Sequence, residues 1–343
     1  MLSSRVFNRK LLSPRTISWP ALLVFALAAP VFAAPVRRAL PVPSSSVAVP
    51  PAGPRAFQFQ ILQLERSSQD LLLLRAKING KRALLCVDSG APFSVIATHR
   101  LAHFGLTSVL PNSELPTHVR VNGSYNVVAV TRSLQLGALN LINEPMVAVN
   151  LGNLSRTAKN DEGEPIDGIL GADILFPTQA VLDCRAQTLT LKIDPTVNGG
   201  VPGLDYRGYA RVPMHVSAGN NLYVDGRFNG RRAKLMVDTG AFSTLFHQSF
   251  ISRMKIPLRE SDIVSEGLNM EQRDIHFATI SRFSVGSVHM RNKKVGVTNL
   301  GGLVRGGLHE ESSPPVAGLL GSEILQRHNA IIDFGTKTLY LKR

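Results

Sequence analysis

The second half of this 343-residue chain repeats the first. Asn79-Gly80-Lys81-Arg82-Ala83 returns as Asn229-Gly230-Arg231-Arg232-Ala233, and Val87-Asp88-Ser89-Gly90-Ala91 as Val237-Asp238-Thr239-Gly240-Ala241. Gly168-Ile169-Leu170-Gly171 returns as Gly318-Leu319-Leu320-Gly321, Asp183 as Asp333, and Leu189-Thr190-Leu191-Lys192 as Leu339-Tyr340-Leu341-Lys342. The offset is 150 in each of these five islands, which implies a tandem duplication. Whatever one half folds into, the other must fold into as well. Pro195, Gly199, Gly200, Pro202 and Gly203 break structure between the repeats. That places one domain at 55–195 and the other at 205–343, each large enough to bury its own core.

Within each unit the pattern is that of strands. Phe57 to Ile61 alternates at period two, Leu71 to Ile78 is an apolar run that ends in an Asn-Gly turn, and Ala83 to Val87 leads straight into Asp88. Thr98 to Phe104 and His247 to Met254 read as one or two helical turns after the motif. Val121-Asn122-Gly123-Ser124 is a hairpin tip, and Glu266-Gly267-Leu268-Asn269 is its expected counterpart in the second half. Gly123 and Gly267 stand at these tips, and Tyr125 near the first could touch a bound substrate, although a solvent-exposed hairpin residue is the favoured reading of it.

An aspartate delivered by an apolar strand to a Ser/Thr-Gly turn is a strong chemical signal, and here it occurs twice at matched positions. Two carboxylates held close together cannot both ionise, so they share one proton. One can then take a proton from water while the other donates to a scissile carbonyl, with no metal and no covalent nucleophile. A pseudo-twofold axis relating two half-sites supplies such a pair, one aspartate from each repeat. Ser89 and Thr239 are placed to hydrogen-bond backbone across that axis, and Gly90 and Gly240 to let the chain bend without a Cβ. The alternative is that Asp88 and Asp238 merely cap turns, as many Asp-Gly aspartates do; two matched motifs weigh against it.

On these residues the chain resembles the aspartic proteases, and among them the exported bacterial retropepsin-like proteins with two retroviral-type domains in one chain. The resemblance covers 55–343. It rests on Asp88-Ser89-Gly90-Ala91, on Asp238-Thr239-Gly240-Ala241, and on the apolar-apolar-Gly elements ending at Gly171 and Gly321. It implies an all-β fold of two tandem retropepsin-like β-barrel domains related by a pseudo-twofold axis, in a pepsin-like bilobal arrangement. It implies an aspartic endopeptidase with Asp88 and Asp238 as the dyad, Gly171 and Gly321 supporting the active-site loops, hairpin flaps and a polypeptide substrate. The stretches 152–166 and 301–316 would form walls of the cleft. Two features depart from the retroviral pattern. Pro92-Phe93 and Phe242-Ser243 stand where acidic residues often follow the Gly-Ala, and Ala172 and Ser322 stand where an Arg commonly follows the supporting Gly. Asp173 and Glu323 read as helix-start residues, and Asp183 and Asp333 as turn residues.

Formal net charge is +14, which first suggests nucleic acid. Four of those charges, Arg5, Arg9, Lys10 and Arg15, precede the apolar run Ala21 to Ala33, with small residues ahead of a cleavage point near Ala33. This is the order of a secretory signal peptide over 1–33, the alternative being an uncleaved anchor. Its removal leaves +10, scattered over the chain without aromatic interleaving, so nucleic-acid binding is not expected. A diffuse positive surface fits solubility or loose attraction to an anionic envelope. The protein is expected to be periplasmic or secreted, and a monomer with pseudo-dimeric domains. The proline-rich stretch 34–54 reads as an extended linker, whether tether or propeptide.

No His-Glu-x-x-His or Gly-x-Ser-x-Gly is present, and no cofactor or metal is expected. Cys86 and Cys184 have Met236 and Phe334 as duplicates, so they read as core residues, although an exported protein would permit a disulfide between them. A non-catalytic protein that binds peptide in the inter-domain cleft is the alternative function, and an envelope structural protein a third.

Overall fold

A computed structural model describes residues 59–111, 113–121, 124–152, 154, 158–192, 204–217, 219–265, 273–301 and 315–343. The leader 1–33, the linker 34–54, the start of the first domain, most of the junction between domains, and Gly123 and Gly267 lie outside the described residues.

The all-β expectation holds, and each half closes into a six-stranded barrel. In the first half the ring runs through Leu72–Ile78, Lys81–Val87, Gly168–Leu170, Val95–Ala97, Leu139–Val149 and Ser124–Leu136, which pairs back with Leu72–Ile78. In the second it runs through Leu222–Phe228, Arg231–Val237, Val316–Leu320, Leu245–His247, Val288–Thr298 and Arg273–Val285, which pairs back with Leu222–Phe228. The first hairpin of each barrel turns at Asn-Gly, with both residues at positive φ (49° and 81° in one half, 49° and 88° in the other). That is the geometry of a tight hairpin turn, and it suits these two residue types. The asparagines also bridge strands: Asn79 Oδ1 accepts the Arg132 and Ser133 amides, and Asn229 Oδ1 accepts that of Arg282.

A shared sheet joins the barrels. Its order is Phe59–Gln63, Thr188–Lys192, Val181–Asp183, Ile331–Asp333, Thr338–Lys342 and Tyr209–Val216. The first three strands and the last three are duplicates in mirrored order. At the centre Leu182 faces its neighbour's Ile332, its own duplicate, which puts the pseudo-twofold axis between them. Asp183 and Asp333 take the structural role expected of them: Asp183 accepts the Arg185 and Ala186 amides, and Asp333 accepts that of Thr336. Cys86 and Cys184 are buried and free, each in an apolar cluster.

The offset of 150 does not hold throughout. Ile78 pairs with Leu134 but its duplicate Phe228 pairs with Phe283, and Ala97 pairs with Val149 but His247 with Thr298. Along the long hairpin the offset is therefore 149. The turn is Gly137-Ala138 in one half and Gly286-Ser287 in the other. A one-residue slip along both arms keeps every side chain on its proper face, because pairing register is judged locally across the two strands.

Candidate active site

Each aspartate sits where a strand runs out of partners and turns. The Lys81–Val87 strand lies parallel to Gly168–Leu170, and the ladder continues one step, with the Asp88 amide donating to Leu170 O (3.1 Å). The Asp238 amide does the same to Leu320 O at 3.1 Å. The strands carrying Gly171 and Gly321 thus place the two carboxylates directly. Their glycines press on the loops: a Cβ on Gly171 would fall 2.6 Å from Phe93 backbone, and one on Gly321 2.4 Å from that of Ser243.

Ser89 and Thr239 lock the two loops to each other. The Ser89 hydroxyl donates to Val237 O (2.9 Å) and accepts the Thr239 amide (3.1 Å). The Thr239 hydroxyl donates to Val87 O (2.9 Å) and accepts the Ser89 amide (3.0 Å). Four buried hydrogen bonds across the axis satisfy every donor involved, as expected from the sequence.

Asp88 and Asp238 are brought together and fully buried. The Gly240 amide is shared between Asp88 Oδ1 (3.2 Å) and Asp238 Oδ1 (3.0 Å). The Gly90 amide adds a bond to Asp88 Oδ1 (2.8 Å), and the Ala241 amide one to Asp238 Oδ1 (2.9 Å). The other oxygen of each, Oδ2, has no partner among the described residues. Burial pushes Asp88 up to about 6, against the pull of the Gly90 amide. Asp238 is held well above the usual carboxylate range, first by burial and then by the charge of Asp88. No ion pair reaches either carboxylate among the described residues, and two close carboxylates lower their energy by sharing one proton. Two carboxyl oxygens left open by the described residues, on a pair that shares one proton, can accept from one reactant and donate to another.

The glycines of the motif owe their place to something other than a bend. Neither Gly90 nor Gly240 has a positive φ. A Cβ on Gly90 would lie 2.6 Å from Asp238 Cγ, and one on Gly240 would lie 2.4 Å from Asp88 Oδ2. The opposing carboxylate fills the room that a side chain would need.

Two residues that sequence reasoning passed over, Ser94 and Thr244, complete the support. The Ser94 amide and hydroxyl donate to Asp173 Oδ2 and Oδ1 (2.8 and 2.7 Å), and Ser94 Oγ accepts the Gly171 amide (3.0 Å). The Thr244 amide and hydroxyl donate to Glu323 Oε2 (2.8 and 3.2 Å), and its Oγ1 accepts the Gly321 amide (3.1 Å). Asp173 and Glu323 do open short helices, Ala172–Leu175 and Ser322–Arg327, but they also tie those helices to the active-site loops. The signal was there in the sequence: a hydroxyl six residues after each aspartate and an acid two residues after each supporting glycine. Ser322, standing where an Arg is usual, donates its hydroxyl to Thr239 O (2.9 Å).

The first-half hairpin is present, with His118–Val121 paired to the start of Ser124–Leu136. Val121 is buried in the same apolar cluster as Ala91, and Phe93 packs against that cluster. Tyr125 is 74% exposed, with Arg120 over its ring, the more solvent-facing of its two readings. In the second half the hairpin arms are Arg259–Ser265 and Arg273–Val285. The stretch 158–166 folds back on itself through Lys159 and Pro165, and Arg75 pins it by ion pairs to Glu162 and Glu164.

A family model described as "Aspartyl protease" matches residues 74–174 and 224–324, one match in each half. Among solved structures, the aspartic proteinase of Irpex lacteus is 12% identical, covering 83% of this chain and 97% of its own, with a TM-score of 0.44. Basic 7S globulin from soybean is 11% identical, covering 83% of this chain and 95% of its own, with a TM-score of 0.42. None of the curated proteins matches the chain.

Proposed function

The chain belongs to the aspartyl protease family, and from that premise we propose that it is an aspartic endopeptidase working through Asp88 and Asp238. The observation that carries the reading is the pair of buried carboxylates whose Oδ2 atoms find no partner among the described residues. In the singly protonated pair, the charged carboxylate takes a proton from a water molecule. That water attacks the scissile carbonyl, and the protonated carboxyl donates to the carbonyl oxygen. The proton taken from water then passes to the leaving nitrogen as the C–N bond breaks, a hydroxyl of the tetrahedral intermediate gives its proton to the other carboxylate, and the pair returns to its one-proton state. Backbone amides from Gly90, Gly240 and Ala241 hold the inner oxygens, so the chemistry falls to the outer ones. Neither carboxylate is exposed, so a polypeptide reaches them only after some covering part of the protein moves.

The test compares the protein with Asp88→Asn and Asp238→Asn on an unstructured polypeptide between about pH 3 and 7, a range that spans carboxyl titration. Cleavage by the parent and loss in both variants supports the reading. Equal cleavage by all three refutes it, and binding of peptide by all three without cleavage assigns the chain to peptide capture. The basic leader and apolar run before Ala33 support export of the protein to an envelope or external compartment. N-terminal sequencing of exported material should begin just after Ala33 or Ala34, and accumulation of uncleaved protein in the cytoplasm would refute export.

A further inference from the structure

The sheet that joins the barrels has two outer strands, and they are duplicates, Phe59–Gln63 at one end and Tyr209–Val216 at the other. The Leu64 amide donates to Gln187 O (2.7 Å) and the Met214 amide to Lys337 O (2.8 Å). Backbone groups alternate sides along an antiparallel strand, so the even-numbered residues bond inward. Ile61 and Gln63 therefore turn their amides and carbonyls outward, as do their duplicates Arg211 and Pro213. No strand among the described residues takes either set. Such an edge is a template for another chain, and proteins blunt it with proline and charge. The second edge is blunted both ways: Pro213 has no N–H to offer, and the exposed Arg211 sets a charge beside it. The first has neither device. Gln63 stands in place of Pro213 and Ile61 in place of Arg211, with Ile61 56% exposed and no charged residue from Phe59 to Gln63. Among the described residues, Ile61 O accepts only from the neighbouring Gln60 Nε2 (3.1 Å), an exposed contact that an incoming amide can replace.

We propose that Phe59–Gln63 is an interaction surface for a second copy of this chain, the two edges pairing antiparallel about a twofold axis through Ile61. This departs from the monomer expected from the sequence, and it does not depend on the protease reading. In that pairing Ile61 faces Ile61 of the second copy and Phe59 faces Gln63, so each outward amide meets an outward carbonyl. The two exposed isoleucines leave water together. A second copy suits the edge better than an unstructured peptide, because its strand is already extended and loses no chain entropy on binding. Charge points the same way. Copies of a chain with formal net charge +14 repel wherever a charged edge meets its like. Through Phe59–Gln63 no like charges meet, whereas the duplicate edge would set Arg211 against Arg211. With that other edge blunted, association closes at the dimer. Five residues a side make less than a standard interface, so the dimer is weak and reversible, with a Kd of about 100 µM.

Sedimentation equilibrium from about 5 µM to about 500 µM, a span that brackets this Kd, should show the mass rising from monomer toward dimer. Ile61→Arg, which copies the blunted edge at an exposed position, should stay monomeric throughout with its melting temperature unchanged. Ile61→Cys sets two thiols on Cα atoms about 5.5 Å apart, within disulfide reach, and should give a covalent dimer under mild oxidation. Ile142→Cys, similarly exposed on the Leu139–Val149 strand, should not, and the buried native thiols do not compete. Arg211→Ile with Pro213→Gln opens the second edge and should carry association beyond the dimer. A wild type that stays monomeric over the whole range, or an Ile61→Arg variant that dimerises as wild type does, overturns the proposal. So does cross-linking that is no better at position 61 than at 142. An Ile61→Cys thiol that a small reagent cannot reach in the monomer overturns it as well, since another part of the chain would then cover the edge.

Discussion

Gly240→Ala is the sharpest test of how the dyad is held. A methyl group at this position would sit 2.4 Å from Asp88 Oδ2 and 2.6 Å from Asp88 Cγ, whereas ordinary contact begins at 3.4 Å. The Asp88 carboxylate must retreat by about 1 Å, giving up its 3.2 Å bond from the Gly240 amide as it goes. A displacement of that size at a reacting group costs about 100-fold in rate. The backbone itself raises no objection, because φ at Gly240 is not positive, and alanine stiffens the unfolded chain by about 0.4–1 kcal/mol. The expected result is therefore a large fall in kcat/KM with little change in the urea unfolding midpoint. The mirror variant Gly90→Ala, which would press on Asp238 Cγ at 2.6 Å, should behave likewise. Retention of more than about a third of the activity in either variant would refute the reasoning, since the chemistry could not then depend on a pair packed this closely.

Ser89→Ala strips partners from Val237 O and the Thr239 amide, both buried, and should cost about 2–4 kcal/mol in urea unfolding. Because Thr239 serves the same lock, Ser89→Ala with Thr239→Val should cost less than the sum of the singles, measured as a double-mutant cycle. Asp88, raised to about 6 by burial, stabilises the fold when protonated and loses that contribution as pH rises through this value, so the melting temperature should fall between about pH 4 and 7 and Asp88→Asn should flatten the slope. The Cys86 thiol is pushed up first by burial and then by the charges of Asp88 and Asp238, and the Cys184 thiol to about 12 by burial. A thiol reagent should therefore find neither in the native protein and two after denaturation; a reactive native thiol would contradict their burial.

What could be read along the chain was whatever is encoded over a few consecutive residues. The Asn-Gly turns, the Asp-Ser/Thr-Gly tetrapeptides and the glycine-ended apolar strands each carry their own local physics, and duplication vouched for them. The bracket of Ser94 with Asp173 spans 79 positions, and only the spacing repeated in both halves hints at it; which atoms bond is not written along the chain. Thr98 to Phe104 turned helical as expected, a short 3-10 turn over Thr98–Arg100 running into Leu101–Phe104. The slip that makes Glu144 the counterpart of Lys293 was hidden because sequence islands on both sides of the hairpin share an offset of 150. Only cross-strand pairing reveals that the arms between them do not.

The sequence by itself determined that two like units exist and that each contributes one aspartate, because duplication and short motifs survive without reference to any partner. It also determined the order of turns and strands, since glycine, asparagine and alternating apolar residues act on their immediate neighbours. Tertiary structure decided the rest. It set Leu182 against Ile332 so that one sheet joins both barrels, and it set each carboxylate in the space left by the opposite glycine. It also set Lys293 beside Glu323, so that one of the two brackets, Thr244 with Glu323, ends on a cation. Distance, burial and the sign of a neighbouring charge are properties of residues brought together from far apart, and they come into being only when the chain has closed on itself.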